Sequence, residues 1–102
     1  MSAFPVAALT DGSGTIALGG SSQAAALANP GRQYLFFQNV SSATLWVDIG
    51  PLPLVATQNQ PSIQVIAGAS LEFSGPSTGV VPTGRILVIG ATTGQAFTLK
   101  TA

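Results

Sequence analysis

The chain has 102 residues, 46% of them hydrophobic, and only six charged side chains: three Lys+Arg and three Asp+Glu, with no His and no Cys. Ordinary domains carry about 25% charged residues, so the zero net charge leaves no basic patch for nucleic acid and no polybasic segment for anionic lipid. Without His or Cys the commonest general base and the thiolate and imidazole metal ligands are missing, and disulfides are excluded.

The length suits one domain. Residues 1–13 read as an N-terminal arm and residues 14–102 as a single all-β domain. Twelve Gly and seven Pro punctuate short apolar runs, and β-branched residues dominate those runs. The strands predicted in chain order are Gly14–Leu18, Ser22–Ala28, Gln33–Val40, Thr44–Ile49, Ser62–Ile66, Ser70–Ser74, Arg85–Ala91 and Gln95–Lys100. The Ala-rich run ends at Asn29-Pro30, where proline disfavours helix for the residue before it, so it is read as a strand. Gly19-Gly20, Ser41 to Ala43, Ala67 to Ala69 and Thr92 to Gly94 read as hairpin turns. Residues 51–61, with three prolines, and 75–84 read as long loops. Eight short antiparallel strands imply a two-sheet sandwich or a jelly-roll-like barrel. No basic leader with a long apolar run opens the sequence, and no apolar stretch of about 20 residues suggests a transmembrane helix.

A weak internal repeat accompanies the strands. Gly31-Arg32 opens Tyr34-Leu35-Phe36-Phe37 and then Leu45-Trp46-Val47; Gly84-Arg85 opens Ile86-Leu87-Val88-Ile89 and then Phe97-Thr98-Leu99. Each is preceded by a pair of runs around a glycine, Ile16 to Gln23 and Val65 to Glu72.

Strand side chains alternate between faces. Leu71 and Phe73 oppose Ser70, Glu72 and Ser74, which fits one wet face. Leu35 and Phe37, however, have Tyr34 and Phe36 opposite them; Trp46 lies opposite Leu45 and Val47; and Leu87 and Ile89 lie opposite Ile86 and Val88. Strands apolar on both faces normally need cover on both, and no helix is expected to supply it. The expectation is therefore an oligomer, or a component of a larger assembly, whose buried contacts include Tyr34, Phe36 and Trp46. The competing arrangement folds residues 1–13 and 51–61 back as covers.

The remaining candidates weigh lightly. Trp46 and Tyr34, with Gln38, Asn39 and Asp48 near them in sequence, could form a sugar platform, although interface or core packing is the commoner use of such aromatics. Asp48 and Glu72 are a weak carboxylate pair on separate strands, and no nucleophile, phosphate-loop or metal motif is present. The reading is that the chain is not an enzyme and takes no cofactor or metal. Arg32 and Arg85, each after a glycine at a strand entrance, are expected to be structural clamps on backbone carbonyls, with an inter-subunit pair to Asp48 or Glu72 as the alternative.

The run from Asn29-Pro30-Gly31-Arg32 through Gln38-Asn39-Val40-Ser41 to Trp46-Val47 resembles a pattern of small tailed-bacteriophage virion proteins. So do Pro61-Ser62-Ile63, Leu71-Glu72-Phe73 and the ending from Val81-Pro82-Thr83-Gly84 to Lys100. The likeness spans about residues 14–100. It implies a capsid decoration or cement protein, located on the capsid surface of the virion and in the host cytoplasm during assembly. The implied partners are further copies of itself, a trimer before a dimer, and the major capsid protein. The resemblance carries no catalytic motif. Residues 1–13 depart from the pattern, and their apolar members Phe4, Val6 and Leu9 suit an arm that adds contacts to a neighbour.

Overall fold

The computed structural model describes residues 9–50, 62–74 and 81–102. These form nine strands: β1 (Thr10–Asp11), β2 (Gly14–Thr15), β3 (Gln23–Ala26), β4 (Tyr34–Asn39), β5 (Leu45–Gly50), β6 (Ile63–Val65), β7 (Ser70–Ser74), β8 (Arg85–Gly90) and β9 (Ala96–Thr101). The fold is all-β, as the sequence predicts, and the strand positions agree within a few residues. The first sheet runs β1-β9-β4-β7, with β2 following β1 along the same edge of β9; the second runs β3-β8-β5-β6. The sheet begins at Thr10, inside the segment read as an arm, because Thr10 and Asp11 pair with Thr101 and Lys100.

The connections depart from expectation. All four expected hairpins cross instead from one sheet to the other: β2 to β3, β4 to β5, β6 to β7 and β8 to β9. A hairpin and a crossing arch share one sequence pattern, an alternating run on either side of a turn. What separates them is whether the two apolar faces lie side by side or face each other. Here they face each other and enclose the core. The pairings are nested, β2 with β9, β3 with β8, β4 with β7 and β5 with β6, closed by β4 with β9 and β5 with β8. This is the winding of a jelly roll. Replacing β2 to β5 by β6 to β9 converts the order of the first sheet, β2-β9-β4-β7, into β6-β5-β8-β3, the second sheet reversed. The internal repeat thus relates the two sheets to each other.

Between the sheets lie Ile16, Leu35, Phe37, Leu45, Val47, Val65, Ile86, Val88, Phe97 and Leu99, all buried. Phe37 and Phe97 stack across this layer, ring centroids 5.4 Å apart. The four crossings share one end of the sandwich. Gly20, Gly68 and Gly94 take positive φ there, as tight reversals require. Gly19 sits so close to the Ala91 carbonyl that a Cβ would collide with backbone.

Side-chain amides, two of them buried, satisfy the polar backbone of these crossings. Asn39, fully buried, donates through Nδ2 to Ala43 O (2.7 Å) and Val65 O (2.8 Å) and accepts at Oδ1 from Ser41 N and Oγ. Gln95 donates to Ala43 O and Thr44 O and accepts from Thr92 N. Gln23 accepts from Ala17 N and donates to Thr15 O. The Asn39 and Gln95 bonds are buried or part-buried, so losing one leaves a carbonyl or amide without its partner, the costly half of hydrogen-bond energetics. Asn39→Leu is therefore expected to cost about 2–4 kcal/mol. Gln38→Leu, one residue away on the outer face with a single long bond to Gly68 O (3.5 Å), should stay within about 0.5 kcal/mol of wild type. Urea unfolding of both variants measures the contrast.

Candidate interaction surfaces

The strand register places the singled-out aromatics on the two outer faces. On the first sheet Phe36 stands directly between Glu72 of β7 and Lys100 of β9. Tyr34 and Phe36 are each half-buried there, while Leu35 and Phe37 point inward. The Tyr34 hydroxyl donates to Glu72 Oε2 at 2.7 Å. Lys100 pairs with Asp11 at 3.5 Å, the one ion pair among the described residues. Bonds from the Ser13 hydroxyl and amide, and then Lys100, hold the Asp11 carboxyl below its usual range. Within a single chain this face is a polar surface with an aromatic strip.

The outer face of the second sheet differs. Leu87 and Ile89 are already buried within one chain, with half-buried Trp46 packed on them. Trp46 is the register partner of Ile89, and Asp48 of Leu87. The doubly apolar strand β8 is therefore not left bare by a single subunit: Trp46 supplies part of its cover. A ring spent on Leu87 and Ile89 is a poor platform for a sugar, and Asn39, fully buried, cannot reach one. Asp48 is buried with Oδ2 unpartnered.

The two arginines behave differently. Arg32 is buried and its guanidinium bridges three backbone carbonyls: Nη1 donates to Pro82 O (2.7 Å) and Gly84 O (3.1 Å), and Nη2 to Leu27 O (2.8 Å). It ties the β3–β4 connection to the strand entrance of β8. Burial lowers its pKa from the ordinary value, yet an arginine stays charged at neutral pH. Arg85, half-buried, makes no such bond among the described residues. The repeat carries the residue type at both places but the clamp geometry at one.

Of the three arm residues expected at an interface, Leu9 is exposed just ahead of β1; Phe4 and Val6 lie outside the described residues. The pattern missed by sequence reading is at the crossing end. Leu18, Val40 and Ile66 project from three different arches at 62%, 51% and 56% exposure. No charged residue occurs in residues 16–22, 40–44, 66–69 or 91–95. These residues are far apart in sequence, and only the sheet-to-sheet crossings bring their arches together. The result is a charge-free end carrying exposed aliphatic side chains, the composition of an interface centre.

Among the described residues no three His, Cys, Asp or Glu side chains cluster to hold a metal. Comparison with protein-family models, curated proteins and solved structures finds no match to this chain.

Two predictions follow from these contacts. The bond to Glu72, then partial burial and the Glu72 charge, raise the Tyr34 pKa above the ordinary value of 10.0. A raised phenol pKa stabilises the fold at pH values below the ordinary one, and that contribution disappears as pH climbs through the folded value. Because Tyr34 is the sole tyrosine, an ultraviolet phenolate titration reads it alone, and Glu72→Gln should move the midpoint down toward about 10. Arg32→Met, which strips three carbonyls of the donor in part-buried bonds, should cost about 2 kcal/mol or more in urea unfolding, with Arg32→Lys recovering only part because an ammonium lacks the planar fork.

Proposed function

We propose that this chain is a structural protein of a tailed-phage particle, a decoration or cement protein on the outside of the head shell. It would assemble as a homo-oligomer, a trimer before a dimer, on the major capsid protein, after synthesis in the host cytoplasm. The observation that carries this reading is the charge-free end with Leu18, Val40 and Ile66 exposed. Repeated over a lattice, many such contacts give avidity without any strong single contact. Lacking charge, they are insensitive to salt screening. The sequence resemblance points the same way. The jelly-roll winding is compatible with it but serves lectins and cupins as well as capsids, so it does not decide the matter.

The buried side chains of Asn39, Gln95 and Arg32 have their bonds on backbone or on Ser41, which fits a structural role. A tail or neck component would use the same surface and is distinguished by copy number. The carbohydrate-binding alternative has less support, for the reasons given at Trp46.

Mass spectrometry of purified particles should find the chain in a fixed ratio to the shell protein. Purified protein added to undecorated heads should bind equally at low and high salt. The double variant Leu18→Asp, Ile66→Asp, on exposed positions that leave the core intact, should lower occupancy by about tenfold or more, the loss that uncompensated desolvation of charge brings. Absence from particles, or release by salt, would overturn the reading.

A further inference from the structure

A cleft of about 380 Å3 opens between the two sheets on the side where β1 and β3 form their edges. Residues 25–29 run along one wall, Thr10 and Gly12 form the other, and Leu99, Thr101 and Arg32 complete the lining. Five consecutive residues make that wall, the last two of β3 and the three that follow it, so the cleft runs along the end of the strand. That strand ends its sheet: β8 is its single ladder partner among the described residues. No charge or proline guards Gln23 to Ala28, the usual protection of an edge; its one irregularity is a register shift between Ala24 and Ala26. At the start of β3 the Gln23 amide bonds Ala17 N and Thr15 O.

The charge in this cleft is not balanced. Arg32 is buried, its three bonds go to neutral carbonyls, its Nε has no partner, and no carboxylate pairs with it among the described residues. A cation flanked by low-dielectric walls focuses its field into the space beside it. The rest of the lining is uncharged: Gly12, Ala25, Ala26, Leu27, Ala28, Asn29, Leu99 and two threonines.

We propose that this cleft is an acceptor site for an extended peptide segment of a partner polypeptide, one that adds to the free edge of β3 and turns a single Asp or Glu side chain toward Arg32. Main-chain bonds to an edge strand supply affinity, and side-chain pockets supply selectivity. Here the selective element is the unpaired positive charge, and the uncharged, largely apolar lining favours uncharged residues on either side of the carboxylate. The inference follows from the cleft alone and is independent of the virion reading.

The test uses the intact chain and two blocked hexapeptides of alternating valine and threonine, one with a central aspartate and one with asparagine in its place. In amide NMR titrations the aspartate peptide should shift the signals of Ala25, Ala26, Leu27 and Thr10 saturably. The asparagine peptide should bind about tenfold more weakly or worse, the loss expected when a charge-assisted bond becomes neutral. Because Arg32→Met risks unfolding, the second variant is Ala28→Glu, an exposed position on the cleft wall. It places a carboxylate of the chain's own beside the site and should abolish preference for the aspartate peptide while the fold is retained. Equal affinity for the two peptides, shifts on another face, no binding of either, or an unchanged preference in Ala28→Glu would each overturn the proposal.

Discussion

Crossing from one sheet to the other four times at the same end places turn backbone against the closed end of a hydrophobic layer. Where that backbone turns inward it needs bonding partners from within the chain. Asn39 and Gln95 supply them: Asn39 binds its own arch and the end of β6, and Gln95 binds the Ser41 to Thr44 arch from the start of β9. The arch backbones also bond to one another, Gly94 N to Ile16 O and Gly68 N to Asn39 O. Neutral amides suit this work better than charges. They offer donors and an acceptor on one short planar group, and their desolvation is far cheaper than that of an ion. The low charge content and the jelly-roll winding are thus parts of one solution.

The strands themselves were legible in the sequence because alternation and glycine punctuation mark them directly. Thr10–Asp11 was not, since two residues carry no period, and its pairing depends on β9 ninety positions later. The sheet membership of each strand was also hidden: Gly19-Gly20 or Thr92 to Gly94 reads the same whether the chain turns back beside itself or arches over. For the same reason Asn39 looked like an outer polar residue near Trp46. Its inward direction follows from its sharing a face with Leu35 and Phe37, a parity that was readable, but its four bonds depend on how the arch through Ser41 and Ala43 curls back and on Val65 arriving from β6. The charge-free end was hidden for that reason too.

Two-sided apolarity also meant something different on each strand. On β4, Phe36 lies in a lane between Glu72 and Lys100, so its outer neighbours are polar and long enough for their methylenes to lie against the ring. On β8, Leu87 and Ile89 are withdrawn beneath Trp46. An argument from strand composition alone treats these alike. The first face can stay wet as it stands. The second gains part of its cover from within the chain, which shifts the weight of any association argument toward the arches.

The six charges then divide the molecule along its length. Asp11, Lys100 and Glu72 occupy the first sheet's outer face, Asp48 and Arg85 lie on the second, and Arg32 braces the end opposite the arches through Leu27, Pro82 and Gly84. None falls in an arch. A protein that needed only solubility would gain nothing from leaving one end without charge, since exposed Leu18, Val40 and Ile66 invite association there. The asymmetry is what the proposed attachment through the arches would require. At the opposite end a buried arginine holds the β3–β4 connection against β8 and lines the cleft beside it. Attachment through the uncharged end and acceptance of a segment at the charged one engage different surfaces, so neither contact would obstruct the other.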